Sequence, residues 1–270
     1  EDIKWCYLQD FWKKIGQAAY NKELKALLNS VLTPVEEGSK EWNDNFFSAD
    51  HGRFHASFKG RYDELLVNPV IKVRGVKNVE KYYTYYDGAG YNYMAHVSEL
   101  STIRAVIFRP DRYKRALVSI DIATAFLQSD KFDEDEIRFI KFKNPFTSEW
   151  MLFKQTGPLY GEKSAPRRWQ ETLHAFLDEL GFIPVENSPS DWVRYGQTSS
   201  DDIILMIWVD DILGDGPYET VHEFIILLKK RFQCKDERWL TPCHTLDHVG
   251  INCKYTHATG SVLATSSLLD

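Results

Sequence analysis

Apolar residues recur along this 270-residue chain with two periods, and the change from one to the other marks its elements. From about residue 10 to 30, Trp12, Ile15, Ala19, Leu24 and Leu27 fall near helical spacing, with Lys13, Lys14, Lys22 and Lys25 between them. That spacing predicts an amphipathic helix. Residues 36–52 are polar and read as a surface connection, Val70–Val76 alternates like a strand, and the tyrosine-rich tract Tyr82–Tyr93 reads as a loop or irregular hairpin. Ser101–Phe108 has the pattern of a short helix, and a basic turn follows from Arg109 to Arg115.

The second half is more sharply punctuated. Ala116–Ile120 is a strand that delivers Asp121 at its end, and Ile137–Phe142 and Trp150–Phe153 alternate as two more. A helix begins near Ser164, with Pro166 tolerated in its first turn. Trp169, Leu173, Phe176, Leu177 and Leu180 form its apolar face, and Gly181 supplies the stop. The apolar run Ile203–Val209 meets two adjacent carboxylates, Asp210 and Asp211, and Ile212–Leu213 follows at once. This predicts a strand–turn–strand hairpin. A helix over 219–232 and strands around Val249–Tyr255 and Ser261–Ala264 complete the order. Helices and strands mix without regular βαβ alternation, so the fold class is α+β.

Composition narrows the picture only a little. Hydrophobic content of 43% supports a globular core, and no apolar run is long enough to cross a bilayer. The start shows no signal-peptide profile, which predicts an intracellular protein, neither secreted nor membrane-bound. A chain that begins at Glu1 reads as a segment excised from something longer. The net charge of −6 counts against a nucleic-acid partner for the chain as a whole, although a local basic patch overrides such a total. Cys234, Cys243 and Cys253 lie near His244, His248 and His257, but their spacings match no common zinc pattern and read as free thiols.

Carboxylates carry the candidate chemistry. Asp121 and the Asp210-Asp211 pair stand at strand ends, and neighbouring strands would gather three acids at one sheet edge. Oxygen donors of this kind suit a hard divalent ion, and two such ions support phosphoryl transfer. Asp is also common in exposed turns, so both readings stand on spacing alone.

Longer words in the sequence favour the first. Val118-Ser119-Ile120-Asp121-Ile122-Ala123-Thr124-Ala125-Phe126-Leu127 resembles the first catalytic motif of copia-type retrotransposon reverse transcriptases, D-V-K-T-A-F-L. Leu159-Tyr160-Gly161-Glu162-Lys163-Ser164-Ala165-Pro166-Arg167-Arg168-Trp169 resembles that family's L-Y-G-L-K-Q-A-P-R-A-W segment. Ser190-Asp191-Trp192-Val193 is similar to its S-D-x-x-L-F, and Trp208-Val209-Asp210-Asp211 to its Y-V-D-D. The motifs occur in the family's order, and the resemblance is strongest from about 100 to 255.

The resemblance implies a right-hand polymerase architecture with a ferredoxin-like antiparallel palm sheet packed on helices. It divides the chain into an N-terminal helix and fingers (1–115), a palm (116–235, with a fingers segment about 130–168), and a primer-grip-like hairpin with the start of the thumb (236–270). It implies two Mg2+ or Mn2+ ions held by Asp121, the carbonyl of Ile122 and Asp210, with Asp211 adding negative charge beside the primer end. Lys235 would protonate pyrophosphate. Lys72, Arg74, Phe126, Tyr160, Gly161 and Lys163 would face the incoming deoxynucleotide, and Arg167, Trp208 and Gly250 the primer and template. Partners implied are an RNA or DNA template–primer, dNTP, and the remainder of a polyprotein with RNase H and integrase, or a ribonucleoprotein. The implied location is a cytoplasmic virus-like particle or the nucleus.

Four positions depart from the family pattern. Trp208 replaces Tyr, Glu162 an apolar residue, Ser164 Gln, and Val70 the first Arg of R-L-V-A-K-G. An inward-facing carboxylate at 162 would repel triphosphate. These departures motivate a second reading, a palm fold kept for a structural role in a ribonucleoprotein without polymerase activity. A two-metal nuclease or nucleotidyl cyclase would use the same carboxylates but leaves the Tyr160–Trp169 segment unexplained.

Overall fold

The computed structural model describes residues 10–58, 69–74, 95–255 and 262–266. The tyrosine-rich tract 82–93 lies outside them. The chain forms two compact units, one of residues 1–93 and 126–169, the other of residues 94–125 and 170–270.

In the first unit, helix α1 (Asp10–Ser30) matches the helix expected from its spacing. Its Leu27 is fully buried with Val31, Leu32, Ile140, Phe142, Phe153 and Leu159. Strands β1 (Leu32–Val35), β2 (Asp50–His51), β6 (Arg138–Lys143) and β7 (Trp150–Gln155) form a sheet of order β1-β7-β6-β2. The β2–β6 pair is parallel and the others antiparallel. Strands β3 (Arg53–Phe58) and β4 (Pro69–Arg74) pair with each other. Residues 36–52, expected as a plain connection, contain β2 and a short helix α2 (Lys40–Asn45). The Ser39 hydroxyl caps α2 by accepting the Trp42 N–H at 3.1 Å, while Trp42 and Phe46 pack against Val35, Ala49 and Leu152. Two anchors in one short turn leave no periodicity to read.

The second unit is built on a six-stranded antiparallel sheet. Its strands are β5 (Ala116–Asp121), β8 (Ile183–Val185), β9 (Ser188–Arg194), β10 (Ile203–Trp208), β11 (Asp211–Gly216) and β12 (Arg238–Trp239), in the order β12-β5-β11-β10-β9-β8. Side chains alternate between its faces. On one face, Leu117, Met206 and Leu213 pack with Ile103, Val106 and Ile107 of helix α3 (Leu100–Ile107) and with the three-stranded sheet β13 (Leu246–His248), β14 (Ile251–Tyr255) and β15 (Val262–Ser266). Toward the other face comes helix α5 (Tyr218–Arg231), whose Val221 closes on Gly214 and Gly216. A Cβ at Gly216 would lie 2.9 Å from Val221 Cγ2, so glycine here permits the approach. Helix α4 (Ala165–Glu179) ends just before Gly181, whose φ of +78° suits a residue without Cβ.

The basic turn has a structural explanation. Arg109 Nη1 and Arg115 Nε each donate to Asp215 Oδ2 at 2.8 Å, and Arg112 donates to Oδ1. Asp215 is fully buried, and burial pulls the Arg112 guanidinium down to about 10. These arginines fasten the far end of β11 to the loop before β5.

Candidate active site

Strand β5 ends where β11 begins. Asp121 and Asp211 are direct partners in the antiparallel pairing, and Trp208 is the partner of Asp211 on the other side. The three side chains therefore project from one face in a row across the sheet. Val209 and Asp210 alone form the hairpin tip. A two-residue tip favours φ > 0 at its first position, where Gly or Asn is usual. Val209 takes it, at φ +58°, a conformation disfavoured for a β-branched residue. The tip is tied down by a bond from Ile122 N–H to the Asp210 carbonyl at 2.8 Å.

A third segment closes the site. Ile122 bridges to Cys234, with Ala123 N–H donating to Gln233 O at 2.9 Å and Lys235 N–H to Asp121 O at 2.8 Å. Neither bond uses the carbonyl of Ile122. The Lys235 ammonium donates to Asp121 Oδ2 at 2.7 Å, while Asp121 Oδ1 is buried without a hydrogen-bond partner. Burial, then the charges of Asp210 and Asp121, push Asp211 up to about 6, against the opposing pull of Arg238 and Lys235. Burial likewise raises the Cys234 thiol to about 11. Arg238, which no motif or spacing singles out, also donates to Ser119 Oγ at 3.3 Å. Its place on β12 opposite Ser119 follows from a pairing between segments far apart in the chain.

Asp121, Ile122, Asp210, Asp211 and Lys235 are thus brought together, with Trp208 beside them, half-buried against the Met206–Leu213 cluster. Gly250 sits in the turn between β13 and β14 at φ +74°. Among the described residues, Cys234, Cys243 and Cys253 are free, and no group of three or more His, Cys, Asp or Glu side chains is arranged to hold a metal ion. The set suggested by sequence has two carboxylates and a main-chain carbonyl. All of these donors are oxygens, and Asp121 Oδ1 is left buried without a hydrogen-bond partner, so the chemistry of the set suits a hard divalent metal.

The other expected residues belong to the first unit. Phe126 and Tyr160 lie with ring centroids 5.5 Å apart, tilted by 51°. Gly161 takes φ +90° in an exposed turn, Lys163 is exposed, and Arg167 is partly exposed on the first turn of α4. Lys72 and Arg74 lie on β4 opposite His55 and Arg53. Glu162 is withdrawn from the exposed surface of this turn. It is buried, accepts from Gln155 Nε2 at 2.5 Å, and lies 3.6 Å from Arg138 Nη1. Arg168, a cation at a helix start, is held by Glu136 at 3.1 Å.

The reverse transcriptase (RNA-dependent DNA polymerase) family model matches residues 60–263. A Ty5-1 transposon protein of Saccharomyces cerevisiae is 31% identical over 124 residues, covering 43% of this chain and 38% of that protein. The retrovirus-related Pol polyprotein from transposon RE1 of Arabidopsis thaliana is 32% identical over 127 residues, covering 45% of this chain and 8% of the polyprotein. The chain thus matches well under half the length of either relative. Among solved structures, apo telomerase from Candida tropicalis aligns with a TM-score of 0.52 at 11% identity, over 93% of this chain and 60% of that one. Telomerase from Candida albicans, in complex with a fragment of telomeric RNA, gives 0.52 at 11% identity, over 94% and 50%. The fold is that of the right-hand polymerases.

Proposed function

Because the chain belongs to the reverse transcriptase (RNA-dependent DNA polymerase) family, in its copia-type retrotransposon branch, we propose that it extends a primer by nucleotidyl transfer from a deoxynucleoside triphosphate, on an RNA or DNA template. The observation that carries this reading is the pairing of Asp121 with Asp211, with the Asp210 tip bonded to Ile122.

Asp121, Asp210 and the Ile122 carbonyl would hold the two Mg2+ or Mn2+ ions. When bound, these ions favour the primer alkoxide and neutralise charge developing on the leaving pyrophosphate. The protein's own work is then positioning and charge placement. Asp211 keeps the ion side of the sheet strongly negative. Lys235, already within hydrogen-bond reach of Asp121, is the candidate donor of a proton to pyrophosphate. Phe126 is the steric gate against a 2′-hydroxyl, with Tyr160 against its ring. Gly161 and Lys163 present an exposed turn to the nucleotide, and Lys72 and Arg74 supply cations for its triphosphate. Arg167, Trp208 and Gly250 are assigned to primer and template. The buried position of Glu162 removes the repulsion that its charge would otherwise bring to this surface.

We assign the first compact unit to the fingers and the second to the palm with the start of the thumb. The partners are a template–primer and the remainder of a Pol-type polyprotein, acting inside the cell. Telomerase aligned above is bound to RNA in one structure, a precedent for this fold on a nucleic acid.

Primer extension on poly(rA)/oligo(dT) with Mg2+ or Mn2+ tests the proposal. Wild type should incorporate dTTP, and Asp210→Asn should lose at least a hundredfold, the order expected for removing a group that stabilises transition-state charge (~10²–10³). Extension that persists in Asp210→Asn overturns the site assignment. Absence of extension in wild type favours the structural, ribonucleoprotein reading.

A further inference from the structure

Lys235 holds Asp121 in two ways. Its N–H is bonded to the Asp121 carbonyl at 2.8 Å and its ammonium to Asp121 Oδ2 at 2.7 Å. The backbone bond fixes the lysine's Cα beside the end of β5, so only the flexible stem has to move for the ammonium to leave. The lysine side chain is 64% exposed and that of Asp121 21% exposed, which places the charged tip at the solvent boundary. The ammonium satisfies one carboxylate oxygen and leaves Oδ1 buried and unpaired. A monovalent donor therefore fills this site incompletely, in a corner where Asp210 and Asp211 add further negative charge.

We infer that Lys235 is an internal counter-ion for Asp121 that an incoming divalent metal displaces. This rests on reading Asp121 as a metal ligand. The lysine stabilises the metal-free chain, weakens metal binding by the free energy of the ion pair, and is released when the metal binds. The freed ammonium stays tethered by its backbone at the site edge, within reach of an anionic substrate. Loading the metal and arming the lysine are then one event.

Mn2+ binding to the 270-residue chain, followed by loss of the free-ion electron paramagnetic resonance signal, tests this without any turnover. Lys235→Met should bind Mn2+ roughly 3- to 10-fold more tightly than wild type, the range for releasing one partly exposed charge-assisted bond. Lys235→Arg should stay close to wild type. Lys229→Met is the control for through-space charge, because that lysine is bonded to Glu237 rather than to Asp121. It should change affinity by less than about twofold. Asp121→Asn should abolish the tight site in every background. Equal affinity in wild type and Lys235→Met, or equal tightening by Lys229→Met, overturns the counter-ion role alone. Absence of Asp121-dependent Mn2+ binding in all variants overturns the metal reading with it.

Discussion

Asp211 stands directly across from Asp121 in the pairing of β11 with β5, so two carboxylates leave the same face of the sheet from adjacent strands. Burial and this neighbourhood raise Asp211 from 3.8 to about 6. A carboxyl raised in the folded state binds its proton more tightly there than when unfolded. Its destabilising effect is therefore absent below about pH 4 and grows as pH rises toward 6. Asp211→Asn should melt higher than wild type at pH 7, by roughly 2–4 °C, and the difference should vanish near pH 4. Thermal melts of both proteins across pH 4–8 check this, and an equal difference at both ends refutes it.

Val209 holds φ +58° at the hairpin tip. The left-handed region costs a residue with Cβ about 1–2 kcal/mol, and glycine returns part of that through its larger unfolded-state entropy. Val209→Gly should therefore be more stable by about 0.5–1 kcal/mol in urea unfolding. Primer extension should fall, because the tip that aims Asp210 becomes looser. A destabilised Val209→Gly would show that the valine side chain packs at the tip more than it strains it.

Asp215 gathers Arg109, Arg112 and Arg115. Removing it would leave three guanidinium groups crowded together with their shared anion gone. Asp215→Ala should lose about 3–5 kcal/mol, the range for breaking a buried ion pair on one side. Asp215→Asn should fall between, keeping one acceptor oxygen but neither the charge nor the second acceptor. Urea unfolding separates the three proteins.

Glu162 is raised to about 7, chiefly by burial, with Gln155 and Arg138 pulling it back. Glu162→Ala should cost about 2–4 kcal/mol, since Gln155 and Arg138 lose a buried acceptor. Glu162→Gln should remove the part of the pH dependence of stability that runs between about pH 4.5 and 7, where the wild-type carboxyl holds its proton only in the folded state. A titration of folding free energy that is identical in wild type and Glu162→Gln would remove Glu162 as its source.

Much of the second unit was legible in sequence because its signals are local. Leu117–Ile120 ending on Asp121, the hairpin around Val209-Asp210, and the helix from Pro166 to Gly181 appear within a residue or two of where their patterns put them. The carboxylates were legible as a group only through the motif words, since nothing local says that β5 and β11 are neighbours. Long-range relations were not legible at all. Glu162 stood out only as a charge that would matter if it faced the nucleotide, and its partners come from β6 and β7, 24 and 7 residues back. The basic turn had no partner in its own neighbourhood of the sequence; Asp215, about a hundred residues later, supplies it. Helix α2 was missed because its cap and its two aromatic anchors fit within one turn.

The alternation of side chains along β11 carries a further consequence for how this chain reaches its native state. A slip of one residue against β5 would turn Leu213 and Asp211 to the opposite face together. Core and carboxylates are thus registered by the same pairing, between segments about ninety positions apart in sequence. Closure over such a span is slow compared with local hairpin formation, so the hairpin should exist before the site does. On the proposed metal reading, the appearance of Asp121-dependent Mn2+ binding during refolding would then clock the docking of β11 onto β5, and the ion would report correct threading.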